Sequence, residues 1–317
     1  MWGGALVPEL LAKGCKIKAL VRKPSGLPVA VEQVVVDLGE KESERAIKDV
    51  FGGVDVIVHA AARVHKMQDW SANPLAEFRK LNRDSTLALA GLAADAGVKR
   101  FVFLSSINVN GEETFPRRRP CIFMPDDQFI PTDPYGLSKY EAEQGLQALA
   151  EKTGMEVVII RPPLVYGPGV KANFASMIRW LRRGVPLPLG AVHNKRSFVA
   201  LDNLVSFIAL CADRTRSPKA ANQVFLISDG EDVSTTQLLR KVADALGKKQ
   251  WLLPVPVVLM SFAARLIGKG DVANRLFGSL QVDSSKARDL LGWQPVITMD
   301  EQLNKTVAAY IKNEKTL

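Results

Sequence analysis

The chain has 317 residues, 47% hydrophobic and 24% charged, with a formal net charge of +9. Such apolar content can bury one large or two intimate domains and excludes a disordered or low-complexity chain. Three well-separated cysteines, Cys15, Cys121 and Cys211, exclude a disulfide framework and show no zinc spacing; they fit a reducing, cytoplasmic setting, and no metal is expected. The positive charge admits nucleic acid, anionic membrane or a phosphate-bearing substrate as partner. Basic residues are scattered, however, and the one dense run, Arg117-Arg118-Arg119, lacks interleaved aromatics. It reads as solvated charge, and no nucleic-acid partner is expected.

In chain order, Gly3 to Gly14 reads as a helix with a glycine stop, followed by a short strand from Lys16 to Val21. Further strands are expected at Gln33 to Val36, Val54 to Val58, Phe101 to Leu104 and Val157 to Ile160. These are short Val- and Ile-rich runs, as expected of strands covered on both faces. Helices are expected between them at Glu42 to Phe51, Leu75 to Ala96 and Tyr135 to Lys152. Strands and helices alternating at this spacing predict an α/β fold, a Rossmann-type doubly wound parallel sheet. After Arg161 the texture changes: proline-rich segments interrupt the alternation, and helices follow at Thr235 to Leu246, Val257 to Ile267, Ser284 to Leu291 and Asp300 to Ile311. This predicts a smaller, mostly helical substrate lobe. Residues 1–162 would bind dinucleotide, with return segments around 191–228, and residues 163–190 and 229–317 would form the lobe.

The most apolar stretch, Trp251 to Leu266, is broken by Pro254 and Pro256 and ended by Arg265, short of the roughly twenty residues that cross a bilayer. It is expected to be a buried or interface helix. Neither a basic leader nor a cleavage site opens the chain, so nothing indicates export.

The chemistry centres on Asp133-Pro134-Tyr135-Gly136-Leu137-Ser138-Lys139. Proline before and good helix formers after put Tyr135 in the first turn of a helix, and residues four apart share a face. The Lys139 ammonium can therefore sit beside the Tyr135 phenol. A phenol with pKa near 10 exchanges protons poorly at neutral pH; lowering it by roughly three units takes about 4 kcal/mol, within reach of a nearby ammonium and an oxidised nicotinamide. A tyrosine so tuned is a general acid/base.

Eight segments in order then carry a resemblance. They are Val36-Asp37-Leu38, Val54 to Ala62, Asn82, Phe103-Leu104-Ser105-Ser106, Pro134 to Lys139, Arg161 to Gly169, Arg196 to Asp202, and Asp283 to Ala287 with Leu291-Gly292-Trp293-Gln294-Pro295. Together they resemble the extended short-chain dehydrogenase/reductases of the NAD-dependent epimerase/dehydratase family, in the sugar-nucleotide 4-epimerase and 4-ketoreductase branch. The resemblance implies that Ser106 bonds the reacting sugar oxygen, that Tyr135 shuttles the proton, and that Lys139 lowers its pKa and holds the nicotinamide ribose. It implies dinucleotide contacts at Gly3, Arg22, Asp37, Leu38, Ala60, Ala61, Ala62, Asn82 and Pro163. Substrate diphosphate and nucleoside contacts fall on Asn173 and Arg196, with Arg275 as a second phosphate contact; guanidinium suits phosphate. Asp37 could instead cap a turn, and Asn82 could be a core residue bonding backbone. His59 reads as a satisfied core residue and Trp293 as packing.

Several departures qualify this. The family opens on a strand running into a glycine-rich loop, and here Gly3 matches that loop's last glycine. The first strand and two glycines are absent, so the sequence resembles an N-terminally truncated member. That strand is normally central, and its loss should leave a buried slot with unpaired backbone on both neighbours. Val21 stands where NAD-selective members carry an acid, and Arg22-Lys23 follow, which leans toward NADP over NAD. Ile107-Asn108 replace the acids that dehydratases use, Leu164 replaces a substrate-binding Asn, and Asn110 replaces a Tyr, which puts galactose-type specificity in question. The expected activity is oxidoreduction at C4 of a UDP-linked hexose or UDP-N-acetyl-6-deoxyhexosamine, as 4-epimerase or 4-ketoreductase in lipopolysaccharide O-antigen synthesis, by a homodimer. The rival reading is a non-catalytic cofactor- or nucleic-acid-binding member of the same fold.

Overall fold

The computed structural model describes residues 2–38, 43–63, 73–114, 122–169, 173–266, 268 and 270–314. His65, Arg117-Arg118-Arg119 and Cys121 lie outside them. The N-terminal half alternates as expected: α1 (Trp2–Ala12), β1 (Ile17–Val21), β2 (Val31–Val35), α2 (Ser43–Val50), β3 (Val56–His59), α3 (Pro74–Phe78), α4 (Ser85–Asp95), β4 (Arg100–Leu104), α5 (Pro134–Thr153) and β5 (Glu156–Arg161). Then come β6 (Leu164–Tyr166), α6 (Asn173–Arg182), β7 (Arg196–Ala200), α7 (Leu201–Ala212), β8 (Gln223–Leu226), β9 (Asp232–Val233), α8 (Thr235–Ala245), α9 (Val257–Leu266), α10 (Gly270–Phe277), α11 (Ser285–Leu291) and α12 (Met299–Glu314).

Strands β3, β4, β5 and β8 form one parallel sheet in that order. Successive side chains on a strand point to opposite faces, and the core divides accordingly. Val102, Leu104, Val158 and Ile160 pack with Leu6 of α1 and Leu204, Phe207 and Ile208 of α7. Phe101, Phe103, Val157 and Ile159 face the other way, onto Ile47 of α2, Leu89 of α4 and Leu146 of α5. Helices on both faces explain why these strands read as unbroken apolar runs. Trp293 does pack, against Phe207 with ring centroids 5.1 Å apart, but it does so in the core under the sheet.

Strands β1 and β2 pair with each other in parallel and form a separate two-stranded sheet. Among the described residues no ladder joins β1 to β3, so the wound sheet is divided between them. A third sheet, β6-β7-β9, and helices α6, α8 and α12 surround another core of Tyr166, Phe174, Ile178, Phe198, Leu238, Val242, Leu303 and Val307.

Two sequence expectations change. The single helix expected over Leu75 to Ala96 is α3, a π-helical stretch Arg79–Asp84, and α4. The widened turn carries Asn82, whose amide is turned inward, and such bulges often mark functional positions. Of the two alternatives for Trp251 to Leu266, a buried or an interface helix, burial is removed: α9 has no buried residue.

Candidate active site

Asp133 caps α5, its Oδ1 accepting from the Gly136 amide at 2.7 Å, and Pro134 supplies the fixed first-turn φ. Gly136 is required here, because an added Cβ would meet the Asn108 carbonyl oxygen at 2.8 Å and Pro131 Cβ at 3.0 Å. The absent side chain lets the first turn of α5 lie against the loop after β4. In that loop the extended backbone of Ser106 caps a short 3-10 turn, Ile107–Val109. The Ser106 hydroxyl donates to Asn108 Oδ1 at 3.0 Å and accepts from the Asn108 amide at 3.2 Å. Gly111, at φ +137, closes the loop where a Cβ would strike the Phe123 ring at 2.9 Å.

Tyr135 and Ser106 are thereby brought together. Burial raises the Tyr135 phenol above its ordinary pKa, hydrogen bonding to Ser106 lowers it, and the Asp133 charge raises it further. Phe78 packs edge-on to the phenol ring, with centroids 5.9 Å apart. Lys139, four residues on, is buried. Its ammonium donates to the Leu104 carbonyl at 2.8 Å and lies 4.4 Å from the Phe103 ring centroid. Burial brings its pKa down to about 7, with the Glu143 carboxylate pulling the other way. Glu143 is held by Arg161, whose Nε and Nη2 donate to it at 3.0 and 2.5 Å. Arg161 Nη1 also donates to Asn110 Oδ1 at 3.0 Å, so the Asn110 substitution serves the support of this pair.

Asn82 joins the site from α3–α4. Its Oδ1 accepts from the Arg63 amide at 2.8 Å, and its Nδ2 donates to the Arg63 carbonyl and the Ser138 hydroxyl, both at 3.1 Å. It ties the segment after β3, Ala60-Ala61-Ala62, to the first turn of α5. His59 ends β3 beside Thr86, 3.0 Å between Nε2 and Oγ1. Burial first, and the Lys139 charge second, bring its pKa to about 3, which suits a neutral core residue rather than a base.

Most of the sequence-derived residues follow the carboxyl ends of parallel strands. Val21 and Val35 are paired, so Arg22 and Asp37 follow adjacent strand ends, with Leu38 next. Ala60 to Ala62 follow β3, Ser106 follows β4, and Pro163 follows β5. This is the edge where open α/β sheets bind ligands. Gly3 is in the first turn of α1.

Arg196 and Arg275 are also brought together. The Arg196 Nη1 donates at 3.0 Å to the carbonyls of Arg275 and Gly278. Burial lowers the Arg196 pKa, Glu113 raises it, and the Arg275 charge lowers it. Asn173 opens α6; its side chain is outside the described set. Leu164 is exposed on β6.

The sequence reading missed Ser105, whose buried hydroxyl has no partner among the described residues, and Glu143. Ser105 carried a signal as the neighbour of Ser106 in the motif. Glu143 carried one as the residue four beyond Lys139. Among the described residues no group of His, Cys, Asp and Glu could hold a metal ion, and no helix is long and apolar enough to cross a membrane.

A model of the NAD dependent epimerase/dehydratase family matches residues 1–227, and the chain belongs to that family of enzymes. It is 52% identical over 297 residues to a UDP-glucose 4-epimerase of Vibrio cholerae, covering 93% of this chain and 87% of that one. Its fold is shared by the UDP-glucose 4-epimerase of Thermotoga maritima solved with UDP-glucose, at TM-score 0.75 and 22% identity, with 99% of this chain and 96% of that chain covered. It is shared equally by a UDP-glucuronic acid 4-epimerase of Bacillus cereus solved with NAD, at TM-score 0.75 and 18% identity, covering 98% and 96% of the two chains.

Proposed function

We propose that this protein is an NAD(P)-dependent 4-epimerase acting on a UDP-linked hexose or UDP-N-acetyl-6-deoxyhexosamine. The observation that carries the reading is the junction of Tyr135, Ser106 and Lys139 beyond the carboxyl end of β4. The 52% identity to the Vibrio cholerae epimerase favours epimerisation over the 4-ketoreductase that the same groups could serve.

The residues fit the nicotinamide end of a dinucleotide. Lys139 offers an ammonium with donors beyond the one given to Leu104, and Ser105 offers a buried hydroxyl that lacks a partner among the described residues. Asp37 and Leu38 would hold the adenine, Ala60 to Ala62, Asn82 and Pro163 would line the rest of the dinucleotide, and Gly3 would approach the pyrophosphate at the α1 terminus. Arg22, with no acid at Val21, leans toward a 2′-phosphate. When bound, the cofactor supplies hydride acceptance and return at C4.

Tyr135 takes and restores the proton of the C4 hydroxyl, and Ser106 orients that oxygen. Lys139, one turn on along the same helix face, would add positive charge that opposes the rise burial imposes on the phenol. Arg196, Arg275 and Asn173 bind the diphosphate. The product would feed bacterial surface polysaccharide, and the assembly would be a homodimer.

The test is incubation of the protein and added NAD with UDP-glucose and UDP-N-acetylglucosamine, separating C4 epimers by chromatography. Epimer formation that Tyr135→Phe abolishes is expected. Reduction of a supplied UDP-4-keto sugar with NADPH, without any epimer from the UDP-hexoses, would replace epimerase by reductase. Turnover of neither would sink the reading.

A further inference from the structure

Helix α9 is built the wrong way round for a helix that serves only the core. Val258, Leu259, Phe262 and Leu266 are 79%, 61%, 64% and 72% exposed. At 3.6 residues per turn they fall within about 100° of one another, a single apolar stripe facing solvent. On α10, which packs against α9, Val272 and Leu276 are one turn apart and also exposed. A contiguous apolar patch on a water-soluble surface marks an interaction site.

The charge around the stripe identifies the partner. Residues 248–276 carry Lys248, Lys249, Arg265, Lys269 and Arg275 against one acid, Asp271. Lys249 and Arg265 have no ion-pair partner among the described residues. Two copies meeting through this face would press like charges together, which disfavours self-association. An apolar stripe edged by Lys and Arg is instead the pattern of a helix lying in the headgroup plane, drawn by acidic lipids. We infer that the outward face of α9 and α10 docks the protein peripherally on an anionic lipid bilayer. Ten residues at about 1.5 Å each are too short to span it, so α9 lies along the surface. Because Arg196 bonds the carbonyls of Arg275 and Gly278 at the end of α10, the docked face adjoins the candidate diphosphate-binding arginines.

The experiment is co-sedimentation of the full chain with vesicles of phosphatidylcholine alone and with about one-third phosphatidylglycerol. The parent protein should sediment with the anionic vesicles, remain free with the neutral ones, and be released by salt. The double substitution Leu259→Glu with Phe262→Asp should weaken anionic-vesicle binding at least about tenfold. The pair Lys249→Glu with Arg265→Glu should weaken it and flatten its salt dependence. All four positions are exposed, so thermal melting of both variants should match the parent. Failure of the parent to bind anionic vesicles overturns the inference, as does equal binding by the Leu259 and Phe262 variant. So does a parent dimer, seen by sedimentation velocity, that this variant dissolves while vesicles capture nothing.

Discussion

Lys139 and Glu143 lie one turn apart on the buried face of α5, an ammonium and a carboxylate both withdrawn from water. Burial dominates the lysine, and the glutamate restores part of its affinity for a proton. Replacing Glu143 with Gln should therefore push the Lys139 pKa below about 7 and shift the alkaline limb of the pH–rate profile, where the required ammonium is lost, to lower pH with it. It should also strand Arg161, destabilising the fold by about 3–5 kcal/mol. Denaturation midpoints and the pH profile measure the two effects separately; an unmoved profile would show that Glu143 acts on stability alone.

The depressed lysine also sets a direction for stability against pH. Its folded pKa, about 7, lies below the unfolded value of 10.5. Between these the unfolded chain binds the extra proton, so this group's contribution to stability rises with pH from about 7 to 10.5 and is least favourable below 7. Lys139→Met should remove that rise. Urea midpoints at neutral pH and about two units higher would show it as a smaller gain in the variant than in the parent.

Tyr135 is poised high, not low, in the protein by itself. A near-ultraviolet titration of parent minus Tyr135→Phe, without cofactor, should place the tyrosinate step above 10. A step below this would contradict the dominance of burial. The same substitution should reduce turnover by about 10²–10⁴-fold, with unchanged melting, if the phenol is the proton carrier.

Asn82 spends its side chain on Arg63 and Ser138. Asn82→Ala should cost about 1–3 kcal/mol, since three hydrogen bonds are lost and buried partners are left unmatched. It should also weaken dinucleotide binding more than binding of UDP, because Ala60 to Ala62 lose their anchor to α5. Calorimetric titration with each ligand distinguishes this from a uniform loss.

The divided sheet predicts uneven amide exchange. Amides of Ile17–Val21 and Val56–His59 that point toward the division have no strand partner among the described residues, whereas β4 and β5 are paired on both sides. Exchange at part of β1 and β3 should be faster than anywhere in β4 and β5. Uniform protection across all four strands would show that the division is closed in solution.

Helix and strand order through β5 was legible because β4 and β5 are covered on both faces and α5 has its proline, cap and glycine stop in plain sequence. Three further helices were not. Helix α6 did carry a helical spacing in Phe174, Ile178 and Leu181, while α7 is buried along most of its length and α10 opens on a glycine. The expected single helix through Asn82 failed because a tertiary demand, bonding Arg63 and Ser138 at once, outweighed local propensity.

By itself, sequence determined that Tyr135 and Lys139 stand one turn apart on α5, since a helical turn brings residues four apart to one face regardless of what surrounds them. It also determined the alternating order that sends the ends of β3, β4 and β5 to one edge. Only the tertiary structure decided the charge states there. How strongly burial depresses Lys139, whether Glu143 meets Arg161, and how far water is removed from Tyr135 depend on segments distant in the chain closing over one another. Desolvation and long-range ion pairing are properties of that closure, and the same closure left the apolar stripe of α9 facing out.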